Sequence, residues 1–195
     1  MTKSGISLIT GPMWGGKTSE LYKKLNMHQA ILDVNNIILI RFSGSENRVE
    51  SERIIPSLDN RIKIIYLTDL SIENIESIDI NIKEIKVIGI DEAQFFNALR
   101  NFCLLMADEF SKTIIVSGLN GDFNRNTFGE ISSLLPICDE IILKHSLCSE
   151  CRDGTPGIFS LKLNCDCENN QVEIGGTDIY KTVCRKHYYT LNKKD

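Results

Sequence analysis

Eight consecutive residues, Gly11-Pro12-Met13-Trp14-Gly15-Gly16-Lys17-Thr18, satisfy G-x-x-x-x-G-K-[ST] at every defined position. Glycines let a backbone wrap closely around a phosphate with its amides turned inward. The spacing assigns Lys17 to the β- and γ-phosphates of a nucleoside triphosphate and Thr18 to Mg²⁺. Downstream, "KVIGIDEAQFF" ends an apolar run on two acids, Asp91 and Glu92. A carboxylate at a strand end can hold the magnesium, the role expected of Asp91. Glu92, beside it, could orient water for hydrolysis or take a proton from an acceptor hydroxyl. A third group is Cys148-x-x-Cys151 with Cys184-x-x-His187. Two such half-sites aim four ligands at one point, the pattern of a closed, structural Zn²⁺ site.

These residues need a scaffold, and the sequence indicates which. "ISLIT" (6–10) reads as a buried strand immediately before the glycine-rich loop. Residues 17–33 follow with Leu21, Leu25, His28 and Leu32 at helical spacing. Further strands are predicted at 36–42, 61–67, 85–91, 112–119 and 139–146, with a helix over 96–110. Strands alternating with helices imply a mostly parallel sheet with helices on both faces, a P-loop NTPase-like α/β fold. In such sheets ligands bind beyond the carboxyl ends of the strands. The character changes near Leu147. Residues 148–187 hold five of the seven cysteines, which marks a small zinc-binding appendage. The expected division is therefore residues 1–146 and 147–191.

The other cysteines and histidines carry less. Cys165 and Cys167 lie between the zinc half-sites and read as free thiols. Cys103 reads as core and Cys138 as packing. His28 and His145 have no partner at motif spacing. With 195 residues, 42% hydrophobic and 25% charged, the chain can bury a core without disulfide staples. No apolar run reaches the length of a membrane span. The N-terminal "MTKSG" leads straight into a strand, which does not read as a signal peptide. The cysteine usage suggests a reducing, cytoplasmic setting. The net charge of −4 weighs against broad nucleic-acid binding. Two function classes remain from the residues alone. One is a kinase acting on a small hydroxyl acceptor. The other is a P-loop ATPase whose zinc module binds nucleic acid or a protein partner.

Four blocks in register resemble one family, the type II thymidine kinases, zinc-containing cytosolic and viral enzymes. "GPMWGGKTSEL" is similar to the family's GPMFSGKSTEL, and "VIGIDEAQFF" to VIGIDEGQFF. "GLNGDFNRNTFGEI" (118–131) is similar to the stretch lining the nucleoside pocket. "IGGTDIYKTVCRKH" (174–187) is similar to IGGxxxYxxVCRxC. The resemblance covers about residues 5–190.

It implies transfer of the ATP γ-phosphate to the 5′-hydroxyl of thymidine, with Glu92 as the general base. Asp91 and Thr18 would serve Mg²⁺. Gln94 and Phe95 would lie beside the donor and nucleoside sites. Met13, Leu119, Phe123 and Phe128 would wall the thymine pocket. Tyr180 would contact sugar or base, and Gln171, Val172, Glu173, Ile174 and Gly175 would read the base through backbone groups. Glu46 and Arg48 stand where the family has Asp-x-Arg near the phosphates. The loop between the zinc half-sites would be the family's lasso, closing over the nucleoside. Homotetramers and feedback inhibition by thymidine triphosphate (dTTP) are further family properties. His187 departs from the common cysteine at the fourth zinc position. The histidine-containing stretch usual after the arginine is not evident in "SERIIPSLDN".

Overall fold

A computed structural model describes residues 4–44, 57–163 and 179–192. Glu46, Arg48, Cys165, Cys167 and residues 171–175 lie outside them, with most of the expected lasso.

The main layer is a six-stranded sheet of β1 (Gly5–Gly11), β2 (Ile37–Phe42), β3 (Lys63–Leu67), β4 (Val87–Asp91), β5 (Thr113–Leu119) and β6 (Glu140–Leu143). The strand order is β3-β2-β4-β5-β1-β6, and every pairing is parallel. The inner strands are apolar on both faces, as a sheet covered on both sides requires. Ile37 and Leu39 point one way, against Leu21, Tyr22 and Leu25 of α1 (Lys17–Gln29). Ile38 and Ile40 point the other way, into a second cluster. That cluster includes Ile75 of α2 (Ile72–Glu76) and Phe102 and Cys103 of α3 (Leu99–Leu104). Gly89 sits where α1 crosses the sheet. A Cβ there would lie 2.9 Å from Leu25 Cδ1, so a larger residue would make the Leu25 side chain shift.

Two helices differ in extent from the sequence expectation. The first stops at Gln29, not residue 33. Asp33 accepts a hydrogen bond from Asn35 N and starts a separate short turn over Val34–Asn36. Such local side-chain bonding competes with helix continuation. The helix expected over 96–110 begins at Leu99, because Ala98 is in the left-handed region at φ 55. It continues as a π-helical stretch over Leu105–Glu109. The strand expected over 139–146 ends at Leu143.

The C-terminal segment carries small antiparallel pieces. β7 (Ser146–Leu147) pairs with β8 (Pro156–Gly157), and β9 (Phe159–Lys162) pairs with β10 (Tyr180–Val183). Helix α4 (Arg185–Leu191) follows. Cys148, Leu161, Val183 and Tyr188 form its own buried cluster.

Candidate functional site

The sheet topology sets the geometry of the site. β1 and β4 are separated by β5, and all three end on the same edge. The loop leaving β1 and the acids ending β4 therefore face one crevice. Leu119 lies between them, in register with Gly11.

The phosphate loop departs sharply from β1. Gly11 has φ 151, and a Cβ there would meet the Lys144 carbonyl oxygen at 2.2 Å. Gly16 opens α1 at φ 76, left-handed geometry that favours glycine. Trp14 holds φ 56 with a full side chain. Such strain costs about 1–3 kcal/mol and persists only where the surroundings enforce it. The Lys17 ammonium donates to the Pro12 carbonyl at 2.8 Å, lying back over its own loop.

At the end of β4, Asp91 is buried and Thr18 Oγ1 lies 3.4 Å from its Oδ1. A carboxylate and a hydroxyl at the mouth of an anion loop are hard oxygen donors suited to Mg²⁺. Burial raises the Asp91 pKa above the usual carboxylate range, and the Glu92 charge adds to this. Arg41, its register partner on β2, opposes the shift. A divalent cation there would favour the ionised carboxylate. Arg41 is itself held by a hydrogen bond to the Tyr22 hydroxyl.

Glu92 also sits in the left-handed region, at φ 52, where the chain turns off β4 into the short turn Ala93–Phe95. Its Oε2 accepts from Gln94 Nε2 at 2.6 Å. The same carboxamide accepts from the Leu119 amide through Oε1 at 3.0 Å. Gln94 is 3% exposed, so this bridge is shielded from water. It fixes the carboxylate orientation against the end of β5. Beyond it, Phe95 meets Phe128 edge-on at 5.5 Å and Phe42 at 5.2 Å, forming an apolar wall.

The second centre joins Cys148, Cys151, Cys184 and His187, whose ligand atoms all lie within 4.8 Å of one another. His187 Nδ1 is 3.5, 3.3 and 3.5 Å from the sulfurs of Cys148, Cys151 and Cys184, and the last two sulfurs are 3.8 Å apart. Zn–S and Zn–N bonds of about 2.3 and 2.0–2.1 Å predict tetrahedral edges of about 3.8 Å (S···S) and 3.5 Å (S···N). The spacing matches a zinc tetrahedron. Burial alone would push the Cys148 thiol up. Amides of Cys184, Cys151 and Glu150 and the His187 ring outweigh it and bring it down to about 6, towards the thiolate that binds metal.

The two centres are connected by residues that the sequence reading passed over. Ser160 of β9 accepts from the Met13 amide at 3.1 Å, and Thr182 of β10 donates to the Met13 carbonyl at 3.0 Å. Tyr188 donates from its hydroxyl to the Phe123 carbonyl at 2.7 Å. Arg125 stacks over Tyr188 at 4.3 Å. Phe123 and Tyr180 lie 6.2 Å apart. Met13 thus meets the Cys/His-bearing segment through Ser160 and Thr182, and Phe123 meets it through Tyr180 and Tyr188, whereas Phe95 and Phe128 pack on each other. No motif spacing marks Ser160, Thr182 or Tyr188.

A glycine-rich loop between a parallel strand and a helix, with an acid ending a strand on the same edge, defines a P-loop nucleotide-binding α/β protein. A family model described as thymidine kinase matches residues 4–188. The chain is 35% identical over 186 residues to thymidine kinase a of Arabidopsis thaliana, covering 95% of this chain and 75% of that one. It is 39% identical over 186 residues to the thymidine kinase of Amsacta moorei entomopoxvirus, covering 94% and 97%. It is 34% identical over 189 residues to that of Vaccinia virus (strain Ankara), covering 96% and 98%. The chain belongs to the thymidine kinase family.

Proposed function

We propose that the protein transfers the γ-phosphate of ATP to the 5′-hydroxyl of thymidine, giving thymidine monophosphate for DNA-precursor synthesis. One observation carries this reading beyond family membership. The Gln94 bridge fixes the Glu92 carboxylate in a turn that follows directly on Asp91, the partner of Thr18, and runs into Phe95, the partner of Phe128. A general base belongs there if the acceptor is a hydroxyl on a molecule with an apolar, flat end.

In this reading the loop amides and Lys17 bind the triphosphate, and Thr18 and Asp91 would hold Mg²⁺, whose chemistry would be charge neutralisation at the leaving diphosphate. Glu92 removes the 5′-hydroxyl proton as the oxygen attacks in line. Met13, Leu119, Phe123, Phe128 and Tyr180 form the nucleoside pocket, with residues 171–175 reading the base edge. Glu46 and Arg48 act on the phosphate side. Zinc at Cys148, Cys151, Cys184 and His187 supplies a structural crosslink, not chemistry. We also propose the division at residues 146 and 147, a homotetramer, feedback inhibition by dTTP and a cytoplasmic setting. Among the described residues, no helix is long and apolar enough to cross a membrane.

One assay tests the reading: labelled ATP offered to thymidine, deoxyuridine, deoxycytidine, single-stranded DNA or water. Label should pass to thymidine and deoxyuridine and poorly to deoxycytidine. Apolar walls value a methyl modestly, whereas a base edge read by polar groups discriminates strongly. Hydrolysis stimulated by DNA would overturn it in favour of an ATPase.

A further inference from the structure

The Cys/His-bearing segment holds one residue of the phosphate loop, Met13, through both of its flanking peptide units. The Met13 amide donates to Ser160 Oγ, and the Met13 carbonyl accepts from Thr182 Oγ1. Ser160 and Thr182 face each other in register across the β9–β10 ladder, and both are buried. Thr182 is two residues from Cys184. Its own carbonyl accepts from the Ser149 amide at 2.9 Å, inside the Cys148–Cys151 turn. A continuous path thus runs from the four-ligand centre through one strand to the middle of the phosphate loop.

We propose that Ser160 and Thr182 are positioning residues, a pair of hydroxyls that makes the phosphate-loop conformation depend on the metal centre. The inference rests on the phosphoryl-transfer reading for its consequence, though not for its geometry. A loop with glycine at 11, 15 and 16 does not hold its own shape, yet its amides must converge to bind phosphate. Trp14, the next residue, is kept in the left-handed region and needs enforcement from outside. Partners on both sides of Met13 supply it. Those hydroxyls keep their places only while the small segment is folded, and metal binding is what folds such segments.

The chain's single tryptophan is Trp14, so its intrinsic emission reads the loop directly. Wild type, Thr182→Ser, Thr182→Val and the double variant Ser160→Ala/Thr182→Val are each compared zinc-loaded and after chelation. Emission is recorded first without nucleotide and then during titration with MgADP. All four should load one zinc. Chelation should shift Trp14 emission in wild type and Thr182→Ser. The zinc-loaded double variant should already show the shifted spectrum and respond little to chelation. Losing the buried hydroxyl should weaken MgADP binding about 5- to 10-fold in Thr182→Val, while Thr182→Ser stays within about 2-fold of wild type. Chelation should cost wild type a similar factor and the double variant under about 2-fold, the non-additivity that defines coupling. Wild-type emission and affinity in Thr182→Val would overturn the proposal. So would an equal chelation response in wild type and double variant. Failure of zinc-loaded wild type to bind MgADP would count against the phosphoryl-transfer reading alone, because the nucleotide-free emission series still decides the role of the clamp.

Discussion

The phosphate crevice and the metal-bearing segment are held together by different means. The crevice sits on the edge of a sheet buried on both faces, with apolar clusters joining every inner strand to a helix. Among the described residues from 146 onward there is one small cluster, whose apolar bulk is Leu161, Val183 and Tyr188 with Phe159 packed against it. Burying three such side chains contributes about 1.5–3 kcal/mol each. Ordering a residue costs about 1–2 kcal/mol in backbone entropy alone, so that cluster by itself does not offset the ordering of the described residues from 146 onward. Structural zinc contributes an apparent 10–16 kcal/mol or so in small zinc peptides, enough to change the outcome. On the proposed reading one region is placed by its core and the other by the metal that Cys148, Cys151, Cys184 and His187 could hold. The proposed function would put the phosphate chemistry on the first and part of the nucleoside wall on the seam with the second.

The largest expected effect tests the core-borne half. Glu92→Gln keeps the shape and loses the basic oxygen. Turnover should fall about 10²–10⁴-fold while nucleotide titration stays near wild type. Near-normal turnover would remove Glu92 from the base role. The metal-borne half should respond differently. Cys184→Ser, or chelation of wild type, should raise the thymidine KM by about 10-fold or more and weaken nucleotide binding less, because loss of the metal unfolds the nucleoside-side segment while the sheet survives. Equal loss of both, with a collapsed thermal transition, would mean that the metal supports the whole chain.

A pair of core substitutions sharpens the comparison. Leu25→Ala opens a cavity under the sheet where Leu25 is fully buried, and should cost about 2–5 kcal/mol in chemical denaturation. Leu161→Ala should leave that main transition nearly in place and instead speed zinc loss to a competing chelator. A shared destabilisation of similar size would show that the two regions unfold as one unit.

What the sequence made legible follows the same division. The phosphate loop, the Asp91–Glu92 pair and the two zinc half-sites are local spacings, and residues that act within a few positions of each other leave a pattern. The strands were visible because a sheet covered on both faces needs unbroken apolar runs such as "NIILIRF". Ser160 and Thr182 left no pattern, because they reach Met13 across 147 and 169 positions. Gln94 was assigned by resemblance to the neighbourhood of the site, but its bridge from Glu92 to the Leu119 amide depends on β4 and β5 lying side by side. Helix ends were also hidden. Ala98 in the left-handed region and the π stretch at Leu105–Glu109 answer to packing, not periodicity.

The smallest expected effect lies on the seam itself. Tyr188 sits in the cluster beside the Cys/His centre, yet its hydroxyl donates to the Phe123 carbonyl on the sheet side. Tyr188→Phe removes that bond and keeps the ring, so the stacked Arg125 and the cluster packing should persist. One net hydrogen bond is worth about 0.5–1.5 kcal/mol. If it orders the Phe123 wall, the thymidine KM should rise about 2- to 10-fold, with turnover and zinc content unchanged. An unchanged KM with a lowered melting temperature would instead make the bond a tie between regions that the nucleoside does not feel. The nucleoside wall would then belong to the sheet alone, and metal removal would act on substrate through the Met13 clamp rather than through Phe123.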